Sequence, residues 1–118
     1  MLTREMLRNF RAGKREVMEL RAKMRSAELA AARSDRATDR ERALAERAIY
    51  EASANKQIAR LAQIEAEISA LRSPKQRRAI RLKYVEGYST VKVAMTMGIA
   101  ERTVEQLILD ALKEKSGG

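Results

Sequence analysis

The stretch that decides the fold runs Ser73-Pro-Lys-Gln-Arg-Arg-Ala-Ile-Arg-Leu-Lys-Tyr-Val-Glu-Gly87-Tyr-Ser89-Thr-Val-Lys-Val-Ala-Met-Thr-Met97-Gly98-Ile-Ala-Glu101. Ser73 is a good helix N-cap and Pro74 is preorganised for the first helical position, so a helix is predicted from Pro74 to about Glu86. Gly87 ends it as a C-terminal glycine. Ser89 caps a short helix over Thr90–Met97, Gly98 ends that one, and a last helix runs from about Glu101 to Lys115. Three helices punctuated by two glycines form the helix-turn-helix pattern, in which a short helix meets a second one across a sharp turn. Ile80, Tyr84, Val85, Val93, Ala94, Met97, Ile99, Val104, Ile108, Ala111 and Leu112 are its expected core. Ala94 is small where the two short helices must approach closely.

The rest of the chain is long-helical. Met6, Phe10, Val17, Leu20 and Met24 follow a heptad spacing, with Gly13 and Ala27 in further seam positions. Thr3 caps the start, the helix reaches about Arg33, and Gly13 is its expected weak point, where it kinks or splits. Ser34–Asp39 reads as a turn, and Thr38 with Glu41 fits a capping box for a second helix from about Asp39 to Leu71. That helix carries a seam of Leu61, Ile64, Ile68 and Leu71, and an alanine-rich first half (Ala43, Ala45, Ala48, Ala52, Ala54) that permits close helix approach. Two helices of about 30 residues, each near 45 Å at 1.5 Å per residue, joined by a short turn, suggest an antiparallel hairpin. The expected fold is all-α: a coiled-coil-like helical hairpin over 1–72 for oligomerisation, a helix-turn-helix over 73–115, and a disordered tail at 116–118. A narrow seam on each long helix buries little, so the hairpin either pairs with another copy or leans on the C-terminal part, and a homodimer is the expectation.

Composition removes whole classes of function. The chain has 118 residues with no cysteine and no histidine, which excludes disulfides, thiolate and His-ligated metal sites, and Ser-His or Cys-His nucleophilic pairs. No paired carboxylates, phosphate-cradling glycine loop or metal spacing stands out, so no catalytic residue, metal or cofactor is expected, and the chain is read as a non-enzyme. No apolar run approaches the roughly 20 residues of a membrane span, and the N-terminus lacks a signal-peptide core, so a cytoplasmic protein away from the membrane is expected. The net charge is +9, from 25 basic and 16 acidic side chains, which favours nucleic acid as partner.

The residues quoted above, with Val93-Ala94, Met97-Gly98-Ile99, Thr103-Val104 and Ala111-Leu112, resemble the C-terminal DNA-binding domain of bacterial sigma factors over residues 73–115. The chain departs from that pattern at Ala100, where Ser or Thr is usual, and at Met95, Glu101, Glu105, Leu107 and Leu109. As a whole it also resembles the small phage and prophage late-gene regulators of the RinA and ArpU type, which place a helical segment before such a domain. The resemblance implies sequence-specific binding of double-stranded DNA in transcription control, RNA polymerase as a further partner, and a nucleoid location. The last helix then reads the major groove through Arg102, Thr103, Glu105 and Gln106, because Arg pairs bidentately with guanine and Gln with adenine. Ser89, Thr90 and Lys92 at the preceding helix start, and Lys75, Arg77, Arg78 and Arg81 on the first helix of the unit, are the phosphate candidates. Two other functions stay open: a helical interaction protein that modulates polymerase, and a DNA-packaging small subunit.

Overall fold

The computed structural model describes residues 2–116 and is helical throughout its regular structure. The helices are α1 (Arg4–Arg8), α2 (Phe10–Arg33), α3 (Ala37–Ser69), α4 (Pro74–Ile80), α5 (Thr90–Met97) and α6 (Glu101–Ser116), with a wider π-helical turn over Arg81–Val85 continuing α4. The chain divides into two compact units: Gly13–Leu61, the hairpin unit, and Met1–Ala12 with Ala62–Gly118, the C-terminal unit. The boundary expected at 72/73 therefore lies inside the C-terminal unit, which takes in both the N-terminal segment and the end of α3.

Within the hairpin unit the side chains show the antiparallel register. Gln57 donates to Glu16 at 2.6 Å, Arg47 to Glu28 at 2.5 Å, and the Lys23 ammonium sits 5.7 Å from the Tyr50 ring centroid. Arg47 also reaches Glu51 at 2.7 Å, and its hydrogen bonds to Glu28 and Glu51 hold its guanidinium above the usual arginine pKa. The seam is built from small residues, with Gly13, Val17, Ala27, Ala31, Ala43 and Ala54 buried. Ala45, Ala48 and Ala52 are exposed.

Several local expectations change. The first helix breaks at Asn9, not at Gly13. Asn9 takes φ −87°, ψ −3° and its amide bonds back to Glu5, as suits a residue whose side chain competes poorly for a helix interior. Gly13 lies inside α2, where a Cβ would come within 3.0 Å of Leu61, so glycine there serves close approach. The helix α3 starts at Ala37, so Thr38 is inside it and forms no cap; Arg40 N–H bonds Arg36 C=O at 3.1 Å and its guanidinium donates to Ser34 C=O. The tail expectation shortens as well: α6 continues through Ser116, and residues 117–118 lie outside the described residues.

The C-terminal unit holds the large buried side chains. Ile64, Ile68 and Leu71 from α3, Ile80 and Tyr84, Val93 from α5, and Val104, Ile108 and Ala111 from α6 are all buried. Leu2, Leu7 and Phe10 sink to 1% exposure in this same unit, so the N-terminal segment belongs to its core. Burying each such side chain contributes about 1.5–3 kcal/mol. Val85, Met97, Ile99 and Leu112 are only half-buried. No helix among the described residues is long and apolar enough to cross a membrane.

Candidate nucleic-acid interface

The caps that shape the interface form as the sequence dictates. Ser73 Oγ accepts from Gln76 N–H and Ser89 Oγ from Lys92 N–H at 3.1 Å, starting α4 and α5. Between them the backbone widens, with Glu86 N–H bonding Arg81 C=O at 2.9 Å, and Gly87 turns the chain at φ 81°. A Cβ on Gly87 would meet the Arg11 guanidinium, so that arginine packs directly over the turn. Gly98 closes α5 at φ 69°, with Ile99 N–H on Ala94 C=O and Gly98 N–H on Met95 C=O, the paired bonds of a Schellman ending. Two residues later α6 begins. Ala100 has no side-chain oxygen, so the first-turn amides of α6 lack the cap that Ser73 and Ser89 supply elsewhere.

This punctuation leaves α6 with two different faces. Val104, Ile108 and Ala111, spaced four and three apart, are 0%, 2% and 0% exposed and lock the helix onto the unit's core. Arg102, Thr103, Glu105 and Gln106, the four residues expected to read bases, are all exposed. Arg102 and Gln106 are one turn apart and share an outward stripe. Gln106 donates to Asp110 Oδ1 at 2.8 Å, which turns its amide along the helix. Leu107 is half-buried and Leu109 is 41% exposed, the latter lining a groove with Arg4, Lys83, Glu105 and Ile108.

The phosphate candidates separate into two groups. Lys75, Arg78 and Lys92 are exposed cations, and Lys75 and Arg78 edge a shallow groove with Pro74, Met97 and Ile99 beside the α5–α6 turn. Lys92 is held 4.0 Å from the Tyr88 ring centroid. The others are engaged within the chain. Arg77 donates to the carbonyls of Leu71 and Arg72, so it closes the end of α3. Arg81 bonds Glu65 Oε2 and Ser69 Oγ, both at 2.9 Å, and ties α4 to α3. The Ser89 hydroxyl is spent on its cap, and the Thr90 hydroxyl accepts from Lys83 Nζ at 2.7 Å. The sequence offers Lys83 and Arg11 only as two among the many basic side chains of their helices. Their partners lie across a glycine turn and at the far end of the chain, where no periodicity points.

No cluster of metal-ligating side chains occurs among the described residues. The arrangement is a helix-turn-helix: α6 is packed by one face on a buried core, with exposed cations on α4 and α5. Residues 61–114 match the family model described as Sigma-70, region 4. That part of the chain is thus similar to a sigma-factor helix-turn-helix, a module of transcription. The match starts where α3 enters the C-terminal unit, one residue from the boundary at Ala62. No curated protein and no solved structure matches the chain.

Proposed function

We propose that the chain binds duplex DNA at specific sequences and regulates transcription together with RNA polymerase, as a phage-type late-gene activator. The observation that carries this reading is the outward stripe of α6. Inside the region similar to sigma region 4, Arg102, Thr103 and Gln106 are exposed on a helix whose opposite side is buried at Val104, Ile108 and Ala111. Glu105, also exposed, borders the groove it shares with Arg4, Lys83 and Leu109. An α-helix so presented fits the major groove, about 12 Å wide. Arg102 pairs with guanine and Gln106 with adenine, while Glu105 accepts from cytosine N4. Lys75, Arg78 and Lys92 hold the phosphates. A protein contact, such as polymerase, is supported by Val91 and Met95, one turn apart on α5 and 53% and 77% exposed. As a dimer the protein would read an inverted repeat, each subunit taking one half-site.

The test is footprinting on DNA from the neighbourhood of the gene, followed by the double variant Arg102→Ala, Gln106→Ala. A discrete protected site is expected, and the double variant should lose about 1–3 kcal/mol of base discrimination per lost pair while keeping non-specific affinity. Sequence preference unchanged in the double variant would remove the groove assignment.

A further inference from the structure

The hairpin unit lacks what the C-terminal unit has. Of its buried positions, Val17 is the largest aliphatic and the rest are glycine and alanine, whereas the largest fully buried side chains, from Phe10 to Val104, all lie in the C-terminal unit. The hairpin unit exposes Met18 at 69%, Leu44 at 48% and Ile58 at 37%. Two helices with so thin a seam are of the size that usually needs oligomerisation to be stable.

These side chains follow a pattern. On α2, Met18, Arg21 and Arg25 each come one step after a seam residue (Val17, Leu20, Met24), and on α3, Leu44, Glu51 and Ile58 each come one step after Ala43, Tyr50 and Gln57. In an antiparallel pair, positions one step beyond the seam on both helices fall on the same flank. Leu44, Glu51 and Ile58 are one heptad apart, so they form a straight stripe. The register set by Glu16–Gln57, Lys23–Tyr50 and Glu28–Arg47 puts Glu51 between the levels of Arg21 and Arg25, and Ile58 within a turn of Met18. One flank therefore carries a basic edge on α2 and an acidic one at Glu51 on α3.

We infer that this flank is the interface with a second copy of the chain. A two-fold axis running along the hairpin lays α2 of one copy antiparallel on α3 of the other. Arg21 and Arg25 then face Glu51 of the second copy, Met18 faces Ile58 of the second copy, and the two hairpins become a four-helix bundle. The inference names the surface for the dimer proposed above. Ile49, 64% exposed, lies on the opposite flank and stays outside the interface.

The natural chain has no cysteine, so single-cysteine variants give an unambiguous map. Full-length Met18→Cys mixed with full-length Ile58→Cys should yield a covalent dimer with a short bis-maleimide, and Ile49→Cys mixed with either should not. In sedimentation equilibrium the unmodified chain should be a dimer. Arg21→Glu with Arg25→Glu should weaken self-association at least about tenfold at unchanged helicity. A monomer at micromolar concentration, or cross-linking through Ile49→Cys equal to that through Met18→Cys, overturns the interface. A DNA site still found by footprinting would show in that case that the groove assignment survives the loss of the pairing. Dimerisation through this flank with no specific DNA site would show the reverse.

Discussion

The two groups of arginines and lysines on α4 should respond in opposite ways to substitution. Lys75 and Arg78 are exposed beside the α5–α6 turn, whereas Arg81 is held between Glu65 and Ser69. On the proposed reading, removing both exposed cations deletes two phosphate contacts. Each contact contributes about 0.9 to the slope of log affinity against log salt, so the slope should flatten by about 1.8, and across a roughly fourfold salt range the affinity gap to the native protein should narrow about 12-fold. Thermal stability should hardly move, since neither side chain has a partner to lose among the described residues. Arg81→Ala should leave the slope intact and lower stability instead. Its ion pair is 37% and 39% exposed on the two sides, so solvent screening limits the loss to about 1 kcal/mol, or roughly 4–8 °C in Tm for a unit of this size. The assay is fluorescence anisotropy against the footprinted duplex over a salt titration, paired with thermal melts by circular dichroism. Equal flattening in Arg81→Ala and in the Lys75→Ala, Arg78→Ala double variant would refute the division, as would an unchanged slope in the double variant.

Three further outcomes are expected. Gly98→Ala should cost about 1–2 kcal/mol in denaturant unfolding, because the left-handed backbone strains any side chain even though a Cβ meets nothing within 4 Å; a neutral result would mean that the turn relaxes. Ile80→Ala, emptying a position with 0% exposure, should cost about 2–5 kcal/mol and abolish the DNA site through loss of fold, read as a cooperative shift in the melt. Stability and DNA affinity should stay flat from about pH 6 to 7, since the chain has neither histidine nor cysteine and this range lies below that of an ordinary α-amino group, and a step in that range would expose an unrecognised titrating group. The raised pKa of Arg47 does not enter that window: its stabilisation is fully present there and is lost as the pH climbs through the arginine range.

Local chemistry carried much of the fold into view. Ser73-Pro74, Gly87, Ser89 and Gly98 each do in the structure what their side chains or their lack of one require, so the start of α4, both ends of α5 and the start of the last helix fall at the expected residues, while the widening of the helix into a π-turn over Arg81–Val85 has no signal in the sequence. The glycine at 13 misled because a helix-breaking residue and a close-packing residue look alike until Leu61 is seen against it. The capping box at Thr38 failed for a related reason: the pattern was present, but α3 had already begun at Ala37. Leu2 and Leu7 fall outside the heptad seam, and only their burial shows that the chain's first residues pack in the C-terminal unit. Within the site, exposure of the reading stripe followed from helical spacing alone. Which cations point outward did not, because Arg77 and Arg81 find partners on α3 that lie at a distance in sequence no period encodes.

Affinity and selectivity must then come from different elements. The described part of α6 bears Glu101, Glu105 and Asp110 against Arg102 and Lys113, so the helix proposed to read bases brings no net attraction to a phosphate lattice. On the proposed reading, Lys75 and Arg78 on α4 and Lys92 on α5 supply that attraction from the side, and because it is sequence-independent it positions without choosing. The acidic side chains on α6 sharpen the choice. A carboxylate at Glu105 that finds a cytosine amino group gains a hydrogen bond, and one that faces a carbonyl or N7 acceptor is repelled in a cleft with little water. Glu105→Gln should accordingly raise affinity for scrambled duplex more than for the true site. On the proposed reading, such a protein would trade binding strength for rejection of wrong sequences, and a dimer would recover the strength by engaging two half-sites at once.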